Sequence, residues 1–122
     1  VLTRASSVGR YFSSDACSVE DIGAVEADCF INTTPVGMRF HEEGTPLDGS
    51  LLHRFRWGFD VIYTPLETRL VREARNAGCA ASGGLAMFVH QGAEQFRLWT
   101  GQEPPVAVMR DRVRSILEDE KY

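Results

Sequence analysis

Short apolar runs alternate along this chain with longer stretches in which apolar residues recur at helical spacing. One run covers residues 27–32 and stops at a loop, and another covers residues 59–63 and is closed by Thr64-Pro65. Both runs show little alternation of apolar and polar positions, which is typical of parallel strands buried on both faces. The pattern therefore predicts two inner strands, each ending in a loop.

The rest of the apolar pattern predicts three helices. Residues 68–77, 85–99 and 106–119 each place apolar side chains on one face, and a glycine stands shortly after each of the first two segments. Thr68 has a side chain suited to cap the first helix. We expect Trp99, at the end of the apolar face of the second helix, to lie in the core.

Strands that alternate with helices indicate an α/β fold with a parallel sheet between helices. Residues 79–82 supply a further short strand, and Val1-Leu2 are interpreted as the end of an earlier strand, before a turn or two of helix at residues 8–12. Residues 39–50 have the composition of a loop. No linker or repeat divides the chain, so residues 1–122 are expected to form a single domain.

Composition excludes several classes of protein. With 43% hydrophobic and 25% charged residues, the chain has the balance of a domain with a packed core. No apolar run approaches the roughly 18 residues that a membrane helix needs, and no secretory segment opens the sequence. The net charge is −4 without a basic stripe, which argues against nucleic acid. We expect a cytoplasmic protein that binds neither membrane nor nucleic acid.

The cysteines and histidines do not indicate a metal site. Cys17, Cys29 and Cys79 are odd in number and lack C-x-x-C spacing, and the three histidines have no metal-ligand spacing. We interpret the cysteines as inert packing thiols in a reducing compartment, and we predict no metal.

Ligands of parallel α/β sheets bind at the carboxyl ends of the strands. Four segments stand there, at residues 3–4, 32–34, 63–65 and 83–84. Arg4 offers paired donors and a fixed charge to phosphate oxygens. No acidic residue occurs among the first ten positions, whereas NAD-binding folds use an acid for the ribose hydroxyls. If this edge of the sheet binds a dinucleotide, the pattern favours NADP over NAD.

Three ordered motifs carry a specific resemblance. Asn-Thr-Thr-Pro-Val-Gly-Met at 32–38, Asp-Val-Ile-Tyr-Thr-Pro-Leu-Glu-Thr at 60–68, and Gly-Leu-Ala-Met-Phe-Val-His-Gln-Gly-Ala-Glu-Gln-Phe at 84–96, followed by Trp-Thr-Gly at 99–101, resemble the C-terminal half of shikimate dehydrogenase. The chain departs from the family in having Gly83 where Asp is frequent and Ala86 where Gly is frequent.

The resemblance implies a partial Rossmann-like parallel sheet with flanking helices, which lacks the first strand and its glycine-rich loop. Shikimate dehydrogenase reduces 3-dehydroshikimate to shikimate with NADPH, in the pathway to the aromatic amino acids. Its catalytic Lys and Asp lie in a separate substrate domain, and no counterpart of that domain or of the glycine-rich loop occurs in this sequence. We therefore interpret the chain as the C-terminal portion of the NADP-binding domain, inactive alone, whose missing partner is the N-terminal substrate domain.

The resemblance also implies which residues contact ligands. Arg4 aligns with an Asn-Arg-Thr type motif that binds the extra phosphate of NADP, and Tyr63 and Gln91 correspond to residues that contact shikimate. No catalytic residue is expected in this chain. The predicted cofactor-binding residues are Thr3, Arg4, Arg10, Asn32, Thr33, Thr34, Val61 and Gly84.

Two other functions remain open. The chain also suits a non-catalytic binding or regulatory module that keeps the fold, and it suits a relative that acts on quinate.

In addition, a sheet without its first strand exposes unpaired backbone groups at one edge. We expect the isolated chain either to form a homo-oligomer through this edge or to rearrange its early residues.

Overall fold

The computed structural model describes the backbone of residues 2–119 and the side chains of residues 4–119. Three short strands alternate with helices, and two 3₁₀ helices, at Ile22–Ala24 and Gly49–Arg54, lie in the connections. In chain order the main elements are α1 (Leu2–Phe12), β1 (Cys29–Asn32), β2 (Trp57–Asp60), α2 (Arg69–Asn76), β3 (Ala80–Ser82), α3 (Leu85–Thr100) and α4 (Val106–Asp119).

The strands form one parallel sheet in the order β1-β2-β3. Cys29 pairs with Trp57 and Asn32 with Asp60, so β1 and β2 end level with each other. All three carboxyl ends therefore meet at one side of the sheet. The predicted α/β fold, with a parallel sheet and flanking helices, is confirmed.

The outer edge of β1 has no strand partner among the described residues. The carbonyl groups of Asp28 and Asn32 accept hydrogen bonds from the β2 side, from Trp57 and Val61. Because successive residues of a parallel strand point their backbone groups to opposite sides, the N–H and C=O groups of Ile31 face outward from the sheet. Among the described residues this edge is unpaired, as we expect.

The N-terminal segment differs from the expectation. Leu2 lies in α1, an 11-residue helix, so the strand expected at Val1-Leu2 is wrong for Leu2, and Val1 lies outside the described residues. Two β-prone residues cannot hold an extended conformation without a neighbouring strand. The turn of helix predicted over residues 8–12 is confirmed and belongs to a longer helix. Tyr11 and Phe12 are 82% and 70% exposed, so α1 does not contribute these rings to the core.

Local signals in the sequence explain the bounds of α2. The Thr68 hydroxyl accepts a hydrogen bond of 3.3 Å from the backbone N–H of Val71 and caps the helix. Gly78, with a φ of 87°, follows its end in the left-handed region that favours glycine. Leu70 and Ala74 then place the apolar face of the helix in the core.

The core lies between α2, the second 3₁₀ helix and one face of the sheet. The rings of Phe30 and Phe55 pack edge to face with centroids 5.3 Å apart. Gly58 of β2 lies directly against Phe30, and a Cβ atom there would stand 2.5 Å from the ring atom Cε1. The buried residues of this cluster are Phe30, Leu47, Leu52, Phe55, Leu70, Ala74 and Cys79.

The predicted roles of the cysteines hold for one of the three. Cys79 is a buried packing thiol, and burial raises its pKa above the ordinary value. Cys17 and Cys29 are exposed, so the interpretation of them as packing thiols is wrong. Cys17 lies in an open loop, and Cys29 is on the uncovered side of the strand β1. Within residues 2–119 no cluster of three His, Cys, Asp or Glu could hold a metal ion.

The helices α3 and α4 pack against each other beside the sheet. Val89 and Ala93 are buried, whereas Trp99 is 81% exposed and the expectation that it lies in the core is wrong. It belongs to the last turn of α3, where Leu98 and Thr100 are exposed as well, before Gly101 ends the helix. None of the helices that the structure describes is long and apolar enough to cross a membrane.

Two glycine substitutions should change stability in opposite directions. Gly58→Ala forces a methyl group against the Phe30 ring and should lower the free energy of unfolding by about 1–3 kcal/mol. Gly92→Ala, in the interior of α3, meets only Met109 Cε at 3.5 Å and should raise it by about 0.5–1 kcal/mol, because alanine favours the helix. Denaturant unfolding measures both values. A midpoint for Gly58→Ala at or above that of the unsubstituted chain would contradict the packing.

Candidate functional site

A cleft of about 510 Å³ opens at the carboxyl ends of β1 and β2, on the side of the sheet where the topology predicts a ligand site. We call residues 33–40, which follow β1, the first wall, and residues 61–64, which follow β2, the second wall. The lining residues are Thr33, Thr34, Pro35, Met38, Arg39, Phe40, Val61, Ile62, Tyr63 and Thr64.

A backbone hydrogen bond joins the two walls: the N–H of Arg39 donates to the Thr64 carbonyl at 2.9 Å. Within the first wall, the N–H of Met38 donates to the Pro35 carbonyl at 3.1 Å. Gly37 adopts a φ of 97° and makes the turn of the first wall possible. The walls are therefore fixed relative to each other by the chain itself.

A buried polar cluster lies beneath the cleft. Asp60, Asn32 and Thr68 are 0%, 4% and 1% exposed. One carboxylate oxygen of Asp60 accepts from Asn32 Nδ2 at 3.0 Å and from the backbone N–H of Ile62 at 3.1 Å, and the other accepts from Thr68 Oγ1 at 2.7 Å. No side-chain polar atom buried among the described residues lacks a partner.

The Asn32 amide connects this cluster to the first wall. Its oxygen accepts from the backbone N–H of Thr34 at 3.0 Å and from the Thr34 hydroxyl at 2.7 Å. The Thr34 hydroxyl in turn accepts from the backbone N–H of Val36 at 3.3 Å. The side chain of Asn32, predicted to contact a cofactor, is thus buried below the cleft and bonded within the protein, whereas those of Thr33 and Thr34 are exposed.

Tyr63 belongs to the second wall and contacts α3. Its ring stacks on Phe88 with centroids 4.3 Å apart and planes 19° apart, and the side chain is 37% exposed. Gln91 follows Phe88 by three residues, so it lies on the next turn of the same side of the helix, and it is exposed. Tyr63 and Gln91 are thus linked through Phe88, which stacks on the one and lies one turn before the other.

Gly84 begins α3 at the point where the helix meets the second wall. Its N–H donates to the Ile62 carbonyl at 2.9 Å, and a Cβ atom at Gly84 would stand 2.5 Å from the carbonyl carbon of Val61. Its φ of −78° is ordinary, so this position favours glycine because of the close approach and not because of the backbone angle. Val61 and Gly84, two of the predicted cofactor-binding residues, are therefore neighbours.

The structure does not bring the N-terminal predicted residues to the cleft. Arg4 and Arg10 are exposed side chains on α1 and do not line it, and the side chain of Thr3 lies outside the described residues. Because these residues lie on a helix, the expectation that Arg4 follows a strand is wrong. Their roles stay predictions.

Sequence reasoning did not identify Arg39 and Phe40 as lining residues. Arg39 is half-buried, its guanidinium lies 5.3 Å from the centre of the Phe40 ring, and it is the one basic side chain of the described cleft lining. Phe40 is 85% exposed with a φ of 74°. Arg39 and Phe40 directly follow the first motif, and this position is the one feature of the sequence that indicates them. The surrounding residues 39–50 have the composition of a loop, which gives no reason to select particular side chains.

Comparison with protein families and solved structures gives consistent results. Residues 84–114 match the Shikimate 5'-dehydrogenase C-terminal domain family. The shikimate dehydrogenase (NADP(+)) of Methanosarcina mazei is 47% identical over 93 residues, which cover 76% of this chain and 33% of that protein. The quinate/shikimate dehydrogenase (NAD(+)) of Corynebacterium glutamicum strain R is 44% identical over 102 residues, which cover 84% of this chain and 35% of that protein.

Two solved structures show the same fold. The shikimate 5-dehydrogenase of Thermus thermophilus in complex with NADP(H) and shikimate has a TM-score of 0.83 and 34% identity, over 94% of this chain and 43% of that one. The quinate dehydrogenase of Corynebacterium glutamicum in complex with NAD has a TM-score of 0.76 and 38% identity, over 91% and 41%. The chain spans about a third of the length of the curated relatives that it matches.

Proposed function

This chain is related in sequence and fold to the C-terminal part of the shikimate dehydrogenases, and we propose that it forms one side of the cofactor and substrate cleft of such an enzyme. The reaction is the NADPH-dependent reduction of 3-dehydroshikimate to shikimate. The observation that carries this proposal is geometric. Four residues of the first two motifs, Thr33, Thr34, Val61 and Tyr63, line one cleft at the carboxyl ends of the strands, and Gly84 of the third motif is buried directly behind Val61.

The cleft suits the nicotinamide end of NADP(H), which would supply the hydride. The hydroxyls of Thr33 and Thr34 lie where a ribose could be hydrogen-bonded. Gly84 is buried against the Val61 carbonyl, and its backbone is proposed to approach the nicotinamide from behind Val61. Val61 completes this side of the cleft with its backbone. Arg4 remains the proposed contact of the additional phosphate of NADP(H).

Tyr63 and Gln91 are proposed to bind the substrate. A phenol both donates and accepts hydrogen bonds, and an amide does the same, so the pair suits the hydroxyl and carboxylate groups of shikimate. The stacking of Tyr63 on Phe88 fixes the direction of its hydroxyl before the ligand arrives. These residues bind and orient. The catalytic Lys and Asp of the family are proposed to come from an N-terminal substrate domain, and the chain alone should be inactive.

A relative that acts on quinate with NAD is the second candidate function. It is favoured by the 44% identity to the quinate/shikimate dehydrogenase (NAD(+)) of Corynebacterium glutamicum, close to the 47% found for the NADP-dependent protein of Methanosarcina mazei. The intact mass of the natural gene product distinguishes both enzymes from a free-standing binding module.

We further propose a cytoplasmic location, because exposed free thiols suit a reducing compartment.

Tyr63→Phe should weaken substrate binding in the complete natural gene product. Loss of one hydroxyl contact should raise the KM for shikimate about tenfold and leave the KM for NADP unchanged. Tyr11→Phe is the matched control, since Tyr11 is 82% exposed on α1. Steady-state kinetics with shikimate and with quinate measures these values and the substrate preference. Equal KM values for the two variants would contradict the assignment of Tyr63.

Arg4→Gln should change the preference between cofactors. If Arg4 contacts the additional phosphate, the Kd for NADPH should rise about tenfold, the loss expected for a charged hydrogen bond, while the Kd for NADH stays the same. Arg112→Gln, an exposed arginine of α4, serves as the control. Calorimetry with both nucleotides measures these Kd values. An equal rise of the Kd for NADH would show that Arg4 does not contact the additional phosphate.

The open edge of β1 is proposed to make the isolated chain self-associate. Ile31 is 62% exposed and its N–H points outward, so Ile31→Pro removes a donor of the edge without breaking a bond to β2. We expect oligomers for the isolated chain and for Ile31→Val, and monomers for Ile31→Pro, by size-exclusion chromatography with light scattering. A monomeric unsubstituted chain with native-like hydrogen exchange would overturn this proposal.

A further inference from the structure

Asp60 contacts the residues behind both walls of the cleft without lining the cleft itself. It is completely buried at the end of β2. Its hydrogen bonds reach Asn32 at the end of β1, Ile62 in the second wall, and Thr68 at the start of α2. The end of β1, the residues that follow β2 and the start of α2 therefore meet at one carboxylate.

The direction of each hydrogen bond follows from the other bonds of its donor. The Thr68 hydroxyl accepts from the N–H of Val71, so it uses its proton on Asp60. The Asn32 oxygen accepts from Thr34, which leaves the amide nitrogen to donate to Asp60 and, at 3.4 Å, to the Val36 carbonyl. Asp60 thus receives donors only. This arrangement suits a carboxylate, which accepts and does not donate.

The same bonds connect the carboxylate to the first wall. With the amide nitrogen of Asn32 held by Asp60, the amide oxygen must face Thr34, where it accepts from both the backbone N–H and the hydroxyl. The orientation of the hydroxyl of Thr34 is set in turn, with its proton on Asn32 and a lone pair toward the N–H of Val36. Loss of the Asp60 carboxylate would therefore remove the buried hydrogen bond that orients Asn32, and with it the fixed orientation of Thr34.

We propose that Asp60 is a positioning residue of the cleft: through Asn32 it fixes the first wall at Thr34, and through the N–H of Ile62 it fixes the second wall beside Tyr63. The identity of the ligands so positioned rests on the proposed function, but the positioning itself does not. The hydrogen bond from Thr68 to Asp60 does not lead to the cleft, because the Thr68 hydroxyl caps α2 at the N–H of Val71.

Two substitutions each remove one hydrogen-bond donor of Asp60 and so distinguish the link to the first wall from the link to α2. Asn32→Leu removes the link to Thr34, and Thr68→Val removes the link to α2, and each replacement is close in size to the original side chain. In the complete natural gene product, Asn32→Leu should accelerate hydrogen exchange of the Thr34 and Val36 amides about tenfold. Thr68→Val should accelerate the Val71 amide instead. Equal acceleration of Thr34 by both variants would show general loosening and overturn the proposal.

Two substitutions of Asp60 itself complete the test. Asp60→Asn keeps an oxygen for Asn32 and Ile62 and should leave exchange at Thr34 close to that of the natural protein, whereas Asp60→Ala keeps none and should match Asn32→Leu. Failure of Asp60→Asn to preserve slow exchange would contradict the assigned geometry. Where Asp60→Ala does not fold, the comparison of Asn32→Leu with Thr68→Val decides.

A kinetic measurement separates positioning from plain support of the fold. Asn32→Leu should raise the KM for NADPH about tenfold with a smaller change in kcat, as expected when a binding wall is misplaced, and Thr68→Val should leave the KM unchanged. An unchanged KM for Asn32→Leu, with exchange accelerated, would overturn the functional role of Asp60. If the natural protein does not reduce 3-dehydroshikimate, the proposed function fails, and the exchange rates alone decide whether Asp60 fixes the first wall.

Discussion

A carboxylate at 0% exposure has to be surrounded by hydrogen-bond donors, and Asp60 obtains them from three separate segments. A hydrogen bond to a charged group contributes about 1.5–3 kcal/mol, which is a sizeable share of the stability of a small domain. The ends of β1 and β2 and the start of α2 are therefore all bonded to this one group. The first wall of the cleft depends on it through Asn32 and Thr34.

The second wall depends on a different constraint, which is steric. Gly84 starts α3 so close to the Val61 carbonyl that a Cβ atom would not fit, and the helix then presents Phe88 for Tyr63 to stack on. Close approach of a helix start and a strand end thus sets the position of the Tyr63 ring. Buried hydrogen bonds to Asp60 or Asn32 reach both walls, backbone contact with the start of α3 acts on the second wall in addition, and the bond from the Arg39 N–H to the Thr64 carbonyl joins the two.

The strand–loop–helix order and the ends of α2 and α3 could be predicted because their signals are local. Thr68, Gly78 and Gly101 act through their own backbone and side chain, so the sequence pattern is sufficient. Leu2 and Trp99 could not be placed, because their positions depend on whether another element covers them. Asn32 shows the same limit within the site: an Asn after a strand suits both a ligand contact and a buried bridge, and only the position of Asp60 distinguishes them.

The hydrogen bonds that shape the two walls all begin and end within residues 32–68, apart from the contacts of Gly84 and Phe88. One side of the cleft is therefore organised before any ligand or further polypeptide is present. Such preorganisation reduces the entropy cost of binding. In the enzyme that we propose, this side binds and orients the ligands through hydrogen bonds, and the groups that transfer protons belong to the N-terminal substrate domain.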